Sequence, residues 1–408
     1  MKAIVPAPPT AMRQHSPIAV FVAAFLVCAG WGLGVFAQEK DAKPGRVLDD
    51  VEMFMIGADA NRLDVILHLL KKGIDPNVRG KKGATAMIVA AGKGNLNVIE
   101  LLLVRGGDVN APGDEGWTAL MEAAYREKAS TVKRLLRAGA DVEARERRYG
   151  LSALMVAAKT DEPEIVAALI AKGAGLNHTG AKRGLTALHL ALANTGLKSV
   201  EIVTELLVAG AKPNTPAKDG FTPLMAAVES GLVDKLSLII SENVDVNAVT
   251  EDGRTAIGRA ADNGRAEMVR RLLAAGAVAT AAQGRPTPLA AAVRAGSVEA
   301  ARLLIDAGAD PNRPEEGGKT PLILAVLGAH DALVELLLER GAAPDGRNPK
   351  DGTTALMWAA NTGRKSFVKL LMERGANAAL AAEDGWTAGE AARMAGHDDI
   401  ARMLEHRI

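Results

Sequence analysis

Three short stretches hold residue types able to do chemistry. Gly318-Lys319-Thr320 has the ending of a phosphate-binding loop, in which backbone N–H groups cradle phosphates and the lysine neutralises them. That loop also requires a Gly five residues before Gly318, where Arg313 stands, and no strand pattern precedes it. His397-Asp398-Asp399 sets an imidazole beside two carboxylates, yet no second ligand cluster at zinc spacing accompanies it. Asn177-His178-Thr179 matches a glycosylation acceptor. Catalysis needs a nucleophile, a base and an orienting group that converge. Histidines 68, 178, 189, 330, 397 and 406 are instead scattered, and no serine lies in a G-x-S-x-G context. The sequence therefore assigns no catalytic, cofactor-binding or metal-binding residue, and the chain is read as a non-enzyme with no cofactor.

The elements that must position these residues are small and numerous. The 408 residues include 42 Gly but only 6 Phe, 4 Trp and 2 Tyr, so bulk comes from Ala, Leu and Val. A formal net charge of +1 gives no global basic field, and nucleic acid is not an expected partner. A Thr in a T-[AP]-L pattern falls at 85, 118, 186, 222, 255, 287, 320, 354 and 387, with Ser152 filling the gap. The spacings of 33, 34, 34, 36, 33, 32, 33, 34 and 33 residues are those of a structural repeat.

Gly83 to Ala91 illustrates the unit. A turn is followed by Thr85, whose hydroxyl can cap a short helix, and by alanines that let helices approach closely. Gly94-Asn95 breaks the chain. A second helix with Val98, Ile99 and Leu101 to Leu103 is apolar over most of its circumference, as a helix sandwiched between neighbours must be. Its terminator recurs as Gly73, Gly106, Gly139, Gly173, Gly210, Gly276, Gly308, Gly341 and Gly375, with Asn243 in the sixth unit. A left-handed cap accepts Gly freely and tolerates Asn best among the rest.

These residues resemble the ankyrin repeat family, above all Asp219–Leu224 (DGFTPL), Thr186–Ala191 (TALHLA), Leu272–Ala277 (LLAAGA) and Gly308–Asn312 (GADPN). The resemblance runs from Val47 to the C-terminus. It implies an all-α solenoid of about eleven helix-turn-helix units with β-hairpin tips, starting near residues 47, 81, 114, 149, 183, 219, 252, 284, 317, 351 and 384. Where the family favours His, as at His189, this chain has Met121, Met155, Met225 and Met357, so thioether packing is expected to replace a histidine network. The first unit has Glu52 where Thr belongs, and reads as the N-terminal cap of the stack.

Ahead of the array, Ile18 to Ala37 carry no charge, Lys2 and Arg13 precede them, and the run ends Val35-Phe36-Ala37. That layout is a signal peptide over residues 1–37, followed by a polar linker over 38–46. The alternative is an uncleaved anchor in the inner membrane, since about 20 apolar residues span a bilayer. The expected protein is a bacterial, exported one, periplasmic or secreted and monomeric, touching a membrane only if the segment is retained. Cleavage would remove Cys28, the one cysteine.

The resemblance implies that hairpin tips and first helices line a concave, protein-binding surface. Register sets Trp117, Phe221 and Trp386 outward after the turn glycines. It puts Trp358 outward on a first helix, Tyr125 near the end of another, and Tyr149 in a tip. Aromatic side chains are enriched at interface hot spots. The tip Arg145-Glu146-Arg147-Arg148 is unusually charged, with Lys81-Lys82 and Lys182-Arg183 at matching places. The expected partner site is Trp117, Tyr125, Arg147, Arg148, Tyr149, Phe221, Trp358 and Trp386, and the expected partner is a protein.

Overall fold

A computed structural model describes residues 48–280 and 286–405. The signal segment, the linker and His406 lie outside the described residues. Ten of the helix pairs open on a hydroxyl cap, as the T-[AP]-L spacing predicts. Thr85 accepts the N–H of Ile88 (3.3 Å), Thr118 that of Met121, Ser152 that of Met155, and the series continues to Thr387 with Glu390. Each bond satisfies an N–H that the first helical turn leaves without a partner. Pro223, Pro288 and Pro321 occupy the first helical position, where a missing N–H costs nothing. The first unit departs from this register. Asp49, not residue 52, caps Asp50–Asp59 by accepting the N–H of Glu52 at 2.6 Å, so this helix starts three residues early.

The second helices end as expected. Gly73, Gly106, Gly139, Gly173, Gly210, Gly276, Gly308, Gly341 and Gly375 have φ between 82° and 98°, and Asn243 has φ 53°. A Cβ added at any of these glycines would meet nothing within 4 Å. The left-handed backbone, not lack of room, selects glycine there.

The chain divides into two compact bodies at Lys212/Pro213, inside the stretch read as the fifth unit. In the first body, the first helices Asp50–Asp59, Ala86–Lys93, Ala119–Tyr125, Ala153–Ala157 and Ala187–Ala193 pack side by side. Their partners Leu63–Lys71, Leu96–Val104, Ala129–Arg137, Pro163–Ala171 and Ser199–Val208 form a second row. The second body repeats this with first helices Pro223–Ser230, Ala256–Asp262, Pro288–Arg294, Pro321–Leu327, Ala355–Asn361 and Ala388–Met394. Fully buried alanines such as Ala90, Ala123, Ala227 and Ala260 allow the close approach. Met121, Met155 and Met225 are buried in the first-helix rows. Met357 takes the histidine's role: its sulfur accepts the N–H of Thr354 at 3.4 Å, as His189 Nδ1 accepts that of Thr186 at 3.2 Å.

The tips are hairpin-like turns rather than strand pairs. Those among the described residues are closed by bonds such as Gly113 N–H to Trp117 C=O (2.8 Å) or Ala217 N–H to Phe221 C=O (2.8 Å). Among the described residues the antiparallel pairing extends only to isolated bridges at Arg79–Thr85, Val249–Thr255 and Ala381–Thr387, because the next residue is already capping a helix.

Side-chain amides tie successive units together, a feature the repeat spacing alone did not reveal. Asn77 accepts the N–H of Asp108 (2.7 Å) and donates to the C=O of Gly106 (3.2 Å). Asn110 does the same with Asp141 and Gly139, and Asn247 and Asn312 repeat it in the second body. Asn177 belongs to this ladder, its Oδ1 accepting the N–H of Lys212 at 2.7 Å. The asparagine of the Asn177-His178-Thr179 acceptor is thus half-buried and held by an inter-unit bond.

Candidate protein-binding surface

The first body holds a four-residue cluster at the mouth of the third unit. Trp117 precedes the capping Thr118, and Glu122 and Tyr125 follow on the helix Ala119–Tyr125. Glu122 stands where Val89, Val156 and Leu190 stand in other units, and its side chain is 1% exposed. Its carboxylate is nonetheless satisfied. Oε2 accepts the indole N–H of Trp117 at 2.8 Å and Oε1 accepts Nε of Arg126 at 3.0 Å. A buried charge held by a cation and a second donor is tolerated, whereas a bare one would not be. The bond fixes the indole, which meets Tyr125 edge-to-face with centroids 6.4 Å apart and planes at 80°. Arg126 lies 5.1 Å from the Tyr125 ring centre. Trp117 and Tyr125 both remain half-exposed, as their register predicts.

Two other aromatic placements need correction. Phe221 occupies the same register position as Trp117 but is 0% exposed. The guanidinium of Arg259, from the next unit, lies 5.0 Å from the Phe221 ring centre and pairs with Glu229 at 3.0 Å; the two charged side chains are only 10% and 11% exposed. Phe221 is core. Tyr149 is 5% exposed and also unavailable as a contact. It serves as a platform, with Arg148 5.2 Å and Lys182 5.3 Å from its ring centre. Arg147 and Arg148 are exposed on the tip. In the second body Trp358 is half-exposed and donates its indole N–H to Thr353 Oγ1 at 3.1 Å, and Trp386 is 39% exposed.

A family model for ankyrin repeats, in sets of three copies, matches residues 54–146, 123–216, 193–283, 278–348 and 330–407. The chain belongs to the ankyrin repeat family. A putative ankyrin repeat-containing protein of Treponema pallidum (strain Nichols) is 34% identical over 122 residues, which is 29% of this chain and 41% of that protein. Ankyrin repeat and KH domain-containing protein 1 of Homo sapiens is 41% identical over 102 residues, 24% of this chain and 4% of that one. Ankyrin repeat and SOCS box protein 16 of Homo sapiens is 33% identical over 164 residues, 36% of each chain. The chain thus covers less than half the length of each of these relatives, and the likeness is one of repeats. The ankyrin fold gives the function class, a protein–protein interaction scaffold.

Within the ankyrin array the motifs that suggested chemistry have structural roles. Thr320 uses its hydroxyl to cap Pro321–Leu327, and Gly318 is the left-handed residue of a tip (φ 84°). Asp399 is bound by Lys365 Nζ at 2.6 Å, which holds its carboxyl below the usual range. His397 stands against Gly363, in the break between two helices. Among the described residues no group of three or more His, Cys, Asp or Glu could hold a metal ion.

Register reasoning missed Glu122, Arg126 and Lys159. Lys159 takes the place of Tyr125 one unit on, and burial pushes its ammonium down to about 8. For Glu122 the available signal was a charged residue at a repeat position that most units fill with small or apolar side chains; the positions of Arg126 and Lys159 vary between charged, polar and apolar and carried none.

Proposed function

We propose that this ankyrin protein is a non-catalytic scaffold, exported from the cytoplasm, that holds a protein partner on the first-helix and tip face of its first body. The observation that carries the site is the Trp117–Tyr125 pair. Two half-exposed aromatic rings pack edge-to-face, and a buried carboxylate holds the Trp117 indole in place. Rigid aromatic side chains offer contact area with little rotamer entropy left to lose on binding. Trp358 and Trp386 form a separate, second candidate on the second body, and Arg147 and Arg148 extend the first. The export reading rests on the uncharged segment 18–37 and the cleavage pattern ending at Ala37.

Cross-linking the full chain in cells, followed by identification of the bound protein, tests the scaffold reading. Trp117→Ala/Tyr125→Ala is expected to abolish the specific cross-link while keeping the helical spectrum, and retention of the cross-link would overturn the site. N-terminal sequencing of the mature protein tests export. A start at Gln38 supports it, whereas an intact N-terminus on a membrane-bound chain favours a tethered spacer.

A further inference from the structure

The most heavily charged tip of the molecule is also rigidly built. Glu146, the acid of Arg145-Glu146-Arg147-Arg148, is turned inward and is 5% exposed. Its Oε1 accepts the N–H groups of Tyr149 (2.6 Å) and Leu151 (3.1 Å), and its Oε2 accepts that of Arg148 (2.7 Å). The backbone N–H of Glu146 donates to Leu151 C=O (3.1 Å), and Arg147 N–H donates to Glu115 C=O in the preceding tip (2.6 Å). The one negative charge of the tip is thus spent on its own backbone. Beneath it, the buried Tyr149 ring holds Arg148 on one side and Lys182 of the next tip on another. Arg145, Arg147, Arg148 and Lys182 are exposed, Arg183 is half-exposed, and the exposed acids of the preceding tip are only Asp114 and Glu115. Gathering like charges on a rigid loop raises the energy of the free protein, and an opposite charge brought to it recovers that energy. The backbone of the tip is already ordered before a ligand arrives, so less is lost on binding.

We infer that this tip pair is an anion-reading subsite for an acidic polypeptide segment of the partner, with Glu146 and Tyr149 as positioning residues for Arg145, Arg147, Arg148 and Lys182. The inference rests on the scaffold reading above and names the chemistry of the partner. A polypeptide is favoured over a nucleic acid because the chain as a whole carries a formal charge of only +1, which gives no global basic field to hold a polyanion.

The test uses the full chain and poly-L-glutamate as the probe, with binding followed by calorimetry at low ionic strength. Wild type is expected to bind and to release the probe as salt is added. Arg145→Glu/Arg147→Glu, both outside the hydrogen-bonded nest, is expected to weaken binding by at least about tenfold. Lys350→Glu, on another tip, is expected to leave it unchanged. Glu146→Ala separates preorganisation from simple charge. It adds one positive charge to the tip, yet is expected to weaken binding about threefold or more because the loop loses its fixed geometry. Equal loss with Lys350→Glu, or tighter binding by Glu146→Ala, would overturn the inference. So would tip-dependent binding of duplex DNA or of phosphatidylglycerol vesicles in place of poly-L-glutamate. If the cellular cross-link at Trp117 and Tyr125 survives while poly-L-glutamate fails to bind, the subsite is wrong and the scaffold stands. If poly-L-glutamate binds as expected but no cellular partner is captured, the scaffold reading is the one that falls.

Discussion

Trp117 and Phe221 stand at the same point of the repeat, one residue before the capping threonine, and meet opposite fates. Trp117 remains half-exposed, whereas Phe221 is sealed in. The difference lies in the position four residues after a capping Thr. In the third unit that position is Glu122, which takes the indole N–H and leaves the ring edge at the surface. One unit beyond Phe221 it is Arg259, anchored by Glu229 and placed 5.0 Å from the phenyl ring. Phenylalanine has no polar edge to satisfy, so it can lie wholly beneath a guanidinium, while tryptophan keeps its N–H towards an acceptor. An aromatic side chain at one register position can thus be contact surface or core, according to one charged neighbour.

The largest effect that can break this comparison is on stability. Phe221→Ala is expected to cost about 3–5 kcal/mol, read as a lower urea midpoint, because it empties a fully buried site. Trp117→Ala should cost less, about 1–2 kcal/mol, chiefly from the buried Glu122 oxygen it leaves without a donor, and act mainly on partner capture. Similar losses for the two variants would erase the distinction. Next in size is the buried pair that covers Phe221. Arg259→Met is expected to destabilise by about 3 kcal/mol by stranding Glu229, and Arg259→Met/Glu229→Met to recover much of that loss. A double variant no better than the single would show that the pair itself, not an uncompensated charge, matters.

Smaller again is Glu122→Gln. It weakens the link to Arg126 and is expected to cost about 1–2 kcal/mol in thermal unfolding while loosening the Trp117 ring. Unchanged indole fluorescence anisotropy would argue that the carboxylate does not orient the ring. Lys159, at Tyr125's place one unit on, supplies a pH signature. Its pKa is about 8 in the folded protein, below its ordinary value of 10.5, so the charged form burdens the folded state. That burden is fully present below pH 8. Stability should rise between pH 8 and 10.5, where only the unfolded chain keeps the proton. Lys159→Met should flatten this rise and melt higher than wild type at neutral pH.

The solenoid was readable from the chain because each of its signals is local. A hydroxyl cap needs only its own next three residues, and a left-handed cap needs only a residue that tolerates positive φ, as Gly73 to Gly375 and Asn243 do. The candidate site was readable in part. Trp117, Tyr125, Trp386, Arg147 and Arg148 lie on the surface as register implies, and Trp358 is half-exposed. Phe221 and Tyr149 do not, because their burial is decided by residues from the following unit, Arg259 and Lys182, more than thirty positions away. The asparagine ladder and the inward turn of Glu146 escaped for the same reason. A side chain's hydrogen-bond partner on another unit, or on its own folded tip, leaves no periodic mark.

By itself, then, the sequence determined the helix starts and stops of every unit but the first, whose cap lies at Asp49, and hence the ankyrin array and its register, since those choices are made within a turn of backbone. Only the tertiary structure decided which rings face solvent, which carboxylates are spent inside and which cations are held out. Those outcomes depend on what the neighbouring unit places against each side chain, and a buried charge or ring is stable only with that neighbour in place.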